Sequence, residues 1–220
     1  MVFRGWPPQA HDFYVGLEAD NTKAFWLANK TVYEEAVRAP MDLLAAEVAD
    51  EFGLLHLFRP YRDVRFSKDK TPYKTHIGAV TEGEGGESYY VQFSSEGIFA
   101  GSGYYQMARD QLHRFTEAVA SDDHGPELVD IVARLRKGRY EVGGSALKTA
   151  PRGYPKDHPR VELLRHKGLF VGKSCPPAKW HSTRAALGRI TDIWRAGAPA
   201  NDWLNNHVGP STEIPPDARD

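Results

Sequence analysis

The sequence predicts an α+β protein, with an antiparallel sheet of about four to six strands flanked by N-terminal and C-terminal helices. Three observations carry this. Apolar residues between positions 21 and 53 recur at helical spacing. From residue 63 to residue 105 the pattern changes to alternation and to aromatic and β-branched runs, joined by links short enough to favour antiparallel pairing. Helical spacing returns after residue 107.

The elements follow in order. "NTKAFWLANKTVYEEAVRA" has a capping residue at Asn21 or Thr22, and Phe25, Val32, Tyr33, Ala36 and Val37 form its apolar stripe. Pro40 suits the first turn of a new helix, "MDLLAAEVADEFG", which Gly53 stops. "DVRF", "THIGAV", "SYYVQFS" and "GIFAGSGYY" read as four strands, with "TEGEGGE" as a Gly-rich loop and Ser95-Glu96-Gly97 as a turn. "ARDQLHRFTEAVAS" sets Ala108, Leu112, Phe115 and Val119 on one helical face, and "PELVDIVARLRKG" does the same with Leu128, Ile131, Val132 and Leu135. "RYEV" and "LFVGKS" suggest short strands. "APRGYPKDHPRVELLRHKG" reads as a loop entering a short helix. "AKWHSTRAALGRITDIWRAG" carries Trp180, Leu187, Ile190 and Trp194 on one stripe, and "ANDWLNNHV" adds a turn or two. A single domain is expected over residues 1–208, with residues 209–220 as a disordered tail.

The chain has one cysteine, Cys175, so no intramolecular disulfide forms, which suits a reducing cytoplasm. The N-terminus has no apolar signal core, and no run of about 18 apolar residues occurs. A cytoplasmic protein without a membrane segment is expected.

The net charge of −1 hides a partition. Residues 59–76 hold 6 basic and 2 acidic side chains, and residues 151–195 hold 10 and 3, in an otherwise acidic chain. Local concentration of one sign points to a site rather than to general affinity for nucleic acid or membrane.

Familiar motifs are absent. "KGLFVGKS" has three residues between its glycines where a phosphate-binding loop needs four, and Cys175-Pro176-Pro177 follow where a helix should open. "SKDK" at Ser67 has the serine–lysine spacing of penicillin-recognising enzymes but lacks their partner motifs. "GSG" at Gly101 reads as a bulge or tight turn. The histidines are scattered, so no metal site is expected, and no cofactor is implied.

That leaves "RPYRDVRFSKDKTPYKTH", residues 59–76. As a strand, Asp63–Ser67 would point Val64 and Phe66 to the core and Asp63, Arg65 and Ser67 outward. Pairing with the segment after Pro72 would set Arg65 near His76 and Ser67 near Lys74. Cations would then face each other, which Asp63 and Asp69 or a bound anion must relieve. Tyr61 and Tyr73 interleave with the charges, and "PRGYPKDHPR" repeats the composition in Arg152, Tyr154, Lys156, His158 and Arg160. Internal ion pairing on a solvated face is the competing account.

These strings, with "YYVQFSSEGIFAGSGYY" and "PRGYPKDHPRVELLRHKGLFV", resemble the conserved family called domain of unknown function 2461, over about residues 12–195. The helical "NTKAFWLANKTVYEEAVRAP" is similar to it too, although "NTKAFW" departs from the family's usual Trp-Phe wording there. The resemblance implies no particular activity, cofactor or catalytic residue.

The expected function is a cationic pocket, pooled from residues 59–76 and 152–167, for a phosphorylated or carboxylated small ligand. Arg62, Arg65, Lys68, Lys70, Lys74 and Arg152 would contact the anion, and Tyr73 and Tyr154 would orient or stack. Asp63, His76 and Asp157 are the acid/base candidates if the protein is a hydrolase or transferase. Two alternatives stand beside this: a nucleic-acid module stacking bases on Tyr61, Tyr73, Tyr89, Tyr90, Tyr104 and Tyr105, and a scaffold whose basic surface meets an acidic protein.

Overall fold

The structure is a computed structural model that describes residues 2–65, 67–82 and 86–213. Its architecture is α+β. Helices α1 (Pro8–Ala19), α2 (Lys23–Val32) and α3 (Ala39–Phe52) come first. Strands β1 (His56–Leu57), β2 (His76–Glu82), β3 (Ser88–Ser94) and β4 (Gly97–Tyr104) follow. Then come α4 (Arg109–Ala120), α5 (Gly125–Lys137), β5 (Glu141–Gly143), α6 (Val161–Leu164), β6 (Leu169–Cys175) and α7 (Ala185–His207). The strands form one antiparallel sheet in the order β1-β2-β3-β4-β6-β5. The chain divides into two compact units, one of residues 1–81, 90–100 and 174–192, the other of residues 82–89, 101–173 and 193–220.

In the first unit, Thr22 caps α2: its Oγ1 accepts the Phe25 amide at 3.2 Å. Pro40 stands in the first turn of α3, as expected, and Gly53 ends that helix. A π-helical turn, Tyr33–Arg38, joins α2 to α3. The Ala39 amide donates to Glu34 five residues back, so the ladder widens just where Pro40 has no N–H to offer. The core gathers Phe13, Tyr14, Trp26, Tyr33, Met41 and Leu44 from the helices and Ile77, Val91, Phe93 and Ile98 from the strands. Trp6 stacks on Phe93 with centroids 4.8 Å apart. At Gly97 φ is +108°, and a Cβ there would lie 2.2 Å from the Cys175 carbonyl oxygen. Only glycine fits that turn.

The second unit buries Phe115, Val119, Leu128, Ile131, Val132 and Leu135 from α4 and α5 against Leu169, Val171, Trp203 and Leu204. The "GSG" lies inside β4 rather than in a turn. Gly103 has φ +138°, and a Cβ would meet the Leu169 carbonyl at 2.3 Å, so glycine admits close approach of the next strand. α7 continues through Pro199 and absorbs the "ANDWLNNHV" segment whole. Of the expected tail, residues 214–220 lie outside the described residues, as do residues 83–85 of the Gly-rich loop. Ser211 and Thr212 donate hydrogen bonds to the Asp110 carboxylate.

Buried histidines should make the protein acid-sensitive. His166 Nδ1 and His181 Nε2 are buried without a hydrogen-bond partner among the described residues. Burial lowers the pKa of each; Glu162 partly opposes this at His166, while Arg189 and His11 reinforce it at His181. His76 and His207 are lowered as well, again first by burial. A depressed folded pKa means that the unfolded chain binds more protons below about pH 6.5, the free imidazole value. This stability is complete above that pH and is lost as pH falls through the folded values. The urea midpoint should therefore drop between about pH 7.5 and about pH 5.5; an unchanged or higher midpoint at the lower pH contradicts this.

Candidate functional site

Among the described residues of 59–76, none from Asp63 to Ser67 forms the expected strand. Instead β1 and β2 extend past their ends as an irregular antiparallel ribbon. The Phe58 amide donates to the Gly78 carbonyl at 2.9 Å, the Lys74 amide to Pro60 at 2.8 Å and the Arg62 amide to Pro72 at 2.9 Å. Tyr61 and Tyr73 form an isolated bridge. Arg62 lies across from Pro72 and Tyr61 faces Tyr73, so the expected pairing of Arg65 with His76 is replaced. Phe66, expected on the core face, lies outside the described residues.

Two aspartates hold the chain between these partners. Asp63 Oδ1 accepts the Arg65 amide at 3.2 Å, and Asp69 Oδ1 accepts the Thr71 amide at 2.9 Å. Each carboxylate also takes an arginine. Arg65 meets Asp63 through Nε at 3.0 Å and Nη2 at 2.7 Å. Arg62 pairs with Asp69 and donates to Thr71 Oγ1 at 2.5 Å. The Thr71 amide and hydroxyl, then Arg62, hold the Asp69 carboxyl down to about 2. The Arg65 side chain and amide lower Asp63 likewise. Lys70 Nζ donates to the Val64 carbonyl at 2.9 Å. Asp63 is thus tied to Arg65 and is a poor acid/base candidate. Arg62 and Arg65 brace the loop.

The Tyr73 ring, expected to orient or stack on a ligand, is buried in the core. It is 5% exposed and stacks on Trp26 with centroids 4.3 Å apart and planes at 7°. Asn21 clasps its backbone, donating to its carbonyl at 3.0 Å and accepting its amide at 3.1 Å. Burying Tyr73 and Ile77 on one side of the extended chain sends Lys74 and His76 to the other. Lys74 is half-buried, its Nζ 5.0 Å from the centroid of Phe58, a ring 41% exposed. Burial and the Arg59 charge lower its pKa. Burial and Lys74 lower that of His76. Among the described residues, Arg59, Lys68, Lys70 and Lys74 have no carboxylate partner. Arg59 and Phe58 were not among the expected contacts. Their signal was position, since they are the ribbon residues that face the segment after Pro72.

The segment 152–167 belongs to the second unit. Two of its cations, Arg160 and Arg165, are held by partners. Arg160, with its side chain 10% exposed, donates to the Val119 and Ala120 carbonyls at 2.7 Å each and pairs with Asp122 at 2.8 Å. Arg165 Nε donates to Leu147 at 2.6 Å. Arg152 and Tyr154 line an open groove of about 910 Å³ along α4. There the cations Arg109, Arg114 and Arg152 are matched by Asp110, Glu117 and Glu213, so the groove carries no excess charge. Asp157 is exposed in the same segment.

The tyrosines do not make one stacking platform. Tyr73 and Tyr104 are buried, and Tyr89 and Tyr90 are consecutive in β3, so they point to opposite faces. Tyr61 and Tyr105 are exposed. Among the described residues no helix is long and apolar enough to cross a membrane.

The family described as conserved hypothetical protein (DUF2461) matches residues 9–203. No curated protein and no solved structure matches the chain.

Proposed function

The chain belongs to the DUF2461 family, and from its own side chains we propose that it binds a small phosphorylated or carboxylated ligand in the cytoplasm, at the cations left unmatched on the 59–76 ribbon. One observation carries this reading. Asp63 and Asp69 are already paired with Arg65 and Arg62, yet Lys74 is half-buried with no carboxylate partner among the described residues, and the Arg59 charge, which also acts on Asp63, opposes its own. Like charges kept together and partly dehydrated destabilise a fold unless a counter-charge arrives. Arg59 supplies a fork for two oxygens, Lys74 a point charge, and Lys68 and Lys70 stand on the same loop. Phe58 offers an apolar edge to the body of the ligand. His76, neutral and half-buried, is the acid/base group the site presents, which suits hydrolysis or group transfer on the bound anion.

Thermal unfolding with and without phosphate, sulfate or citrate tests this. Saturating anion should stabilise the wild type by about 1–3 kcal/mol. Arg59→Gln and Lys74→Gln should shrink that gain, while stability without ligand stays equal or rises by up to about 1 kcal/mol. If both variants lose stability with and without anion while the gain persists, the cations serve the fold instead. Tight DNA binding that falls steeply with salt would move the reading to nucleic acid.

A further inference from the structure

Within the first unit, β2, β3 and β4 present two unlike faces. Ile77, Ala79, Val91, Phe93, Ile98 and Ala100 point to the buried one. Alternation sends Lys74, Gly78, Tyr90, Gln92 and Phe99 to the other, and Phe58 joins them, because its amide pairs with the Gly78 carbonyl. On that face Phe58 is 41% exposed, and Lys74, Tyr90, Gln92 and Phe99 are partly exposed. A ring cluster that served only the core would be closed off, as Trp26 and Tyr73 are.

Three of these side chains form a row. The Phe58 and Tyr90 centroids are 6.3 Å apart, and those of Tyr90 and Phe99 are 6.1 Å apart. Phe58 and Tyr90 lie over Gly78: a Cβ there would stand 2.9 Å from the Tyr90 hydroxyl and 3.3 Å from Phe58 Cδ2. The missing side chain lets both rings lie down on the strand. The Tyr90 hydroxyl donates to Gln92 Oε1 at 2.8 Å, which fixes that ring's orientation. Lys74 closes one end of the row, with its Nζ 5.0 Å from the Phe58 centroid. A ring in that place favours the charged ammonium. The face therefore offers π surfaces along its length and a cation at one end.

We infer that the ligand of the anion site is a mononucleotide, with its phosphate at Lys74 and its base stacked on Tyr90 and Phe99. The inference rests on the anion site proposed above and supplies the part of the ligand that the cations leave unspecified. Phe58, between the two ends, packs against the sugar. Base stacking on aromatic rings tolerates any base, because every base has a π face, so the row selects nucleotides as a class. Charge limits the length of the ligand. Outside the two basic segments the chain is acidic, which opposes a longer polyanion running on past Lys74.

Calorimetric titration of the full-length protein with AMP, ribose 5-phosphate and a short single-stranded oligonucleotide tests the inference. AMP should bind on the order of tenfold more tightly than ribose 5-phosphate, which keeps the sugar and phosphate but lacks the base. Lys74→Gln should weaken both. Phe99→Leu keeps an apolar side chain but removes a ring, so it should erase most of the AMP margin over ribose 5-phosphate. Tyr90→Phe keeps the ring and should retain that margin. Equal affinity of the wild type for AMP and ribose 5-phosphate overturns the inference, even where inorganic phosphate still raises the unfolding temperature. Absence of that phosphate effect removes the anion site itself. An oligonucleotide that binds far more tightly than AMP overturns the mononucleotide in favour of a strand. If Phe99→Leu does not fold, the ligand series on the wild type still decides.

Discussion

Tyr73→Ala should lower stability by about 3–5 kcal/mol, whereas Tyr73→Phe should cost less than about 0.5 kcal/mol. The contrast separates two roles that the sequence leaves open. A ring that orients a ligand works through its hydroxyl or an exposed face. The Tyr73 ring is buried, with one face covered by Trp26 at 4.3 Å and Tyr61 at 5.5 Å on another side. Removing it opens a cavity beside Trp26, which also touches Tyr33 at 4.7 Å and Phe13 at 5.9 Å. The cost is lost burial plus a cavity that stacked rings close poorly. Urea unfolding of both variants measures it. The same anchor fixes the neighbouring Lys74 on the outer side of the ribbon, so Tyr73→Ala should also abolish any anion-dependent stabilisation. Equal losses in the Phe and Ala variants would show that the hydroxyl, not the ring, is what matters.

Arg160→Met should destabilise by about 2–4 kcal/mol, although it replaces a charged residue by an apolar one of similar length. The guanidinium satisfies the Val119 and Ala120 carbonyls at the C-terminal end of α4, where the helix leaves acceptors without partners and its dipole favours a cation. Asp122 completes the arrangement and has its pKa lowered by the Arg160 hydrogen bond. Methionine fills the space but leaves two carbonyls unpaired. Arg160→Lys should lie between, since one ammonium cannot reproduce the fork. Amide hydrogen exchange should show the loss concentrated in the last turn of α4. A loss below about 0.5 kcal/mol in Arg160→Met would mean that solvent satisfies those carbonyls equally well.

Much of the fold was legible from periodicity. α4 and α5 carry their apolar residues at three- and four-residue spacing, and β3 is a run of aromatic and β-branched residues closed by a Gly turn, so local pattern and tertiary burial agree. α1 was not among the expected elements. Yet Ala10, Phe13, Tyr14 and Leu17, its buried residues, are spaced as one helical face. Its Pro7-Pro8 start reads as loop unless it is recognised as a first turn. Pro40 does mark the first turn of α3, and what the pattern did not reveal is the π-helical turn that runs α2 into it.

By itself the sequence determined the α+β class, the family, the two basic segments and their sign. These depend on composition and short-range spacing, which survive without knowledge of contacts. Only the tertiary structure decided which cations are free. Arg62 and Arg65 are matched because the chain reverses at Asp63 and Asp69, and Arg160 is matched because a helix forty residues earlier ends beside it. Tyr73 is core and Lys74 is not, because Trp26 and Asn21 from the N-terminal helical region claim one side of that strand extension. Charge counts add without distance, but Coulomb energy and desolvation depend on separation and burial, and those are set by residues far away in the chain.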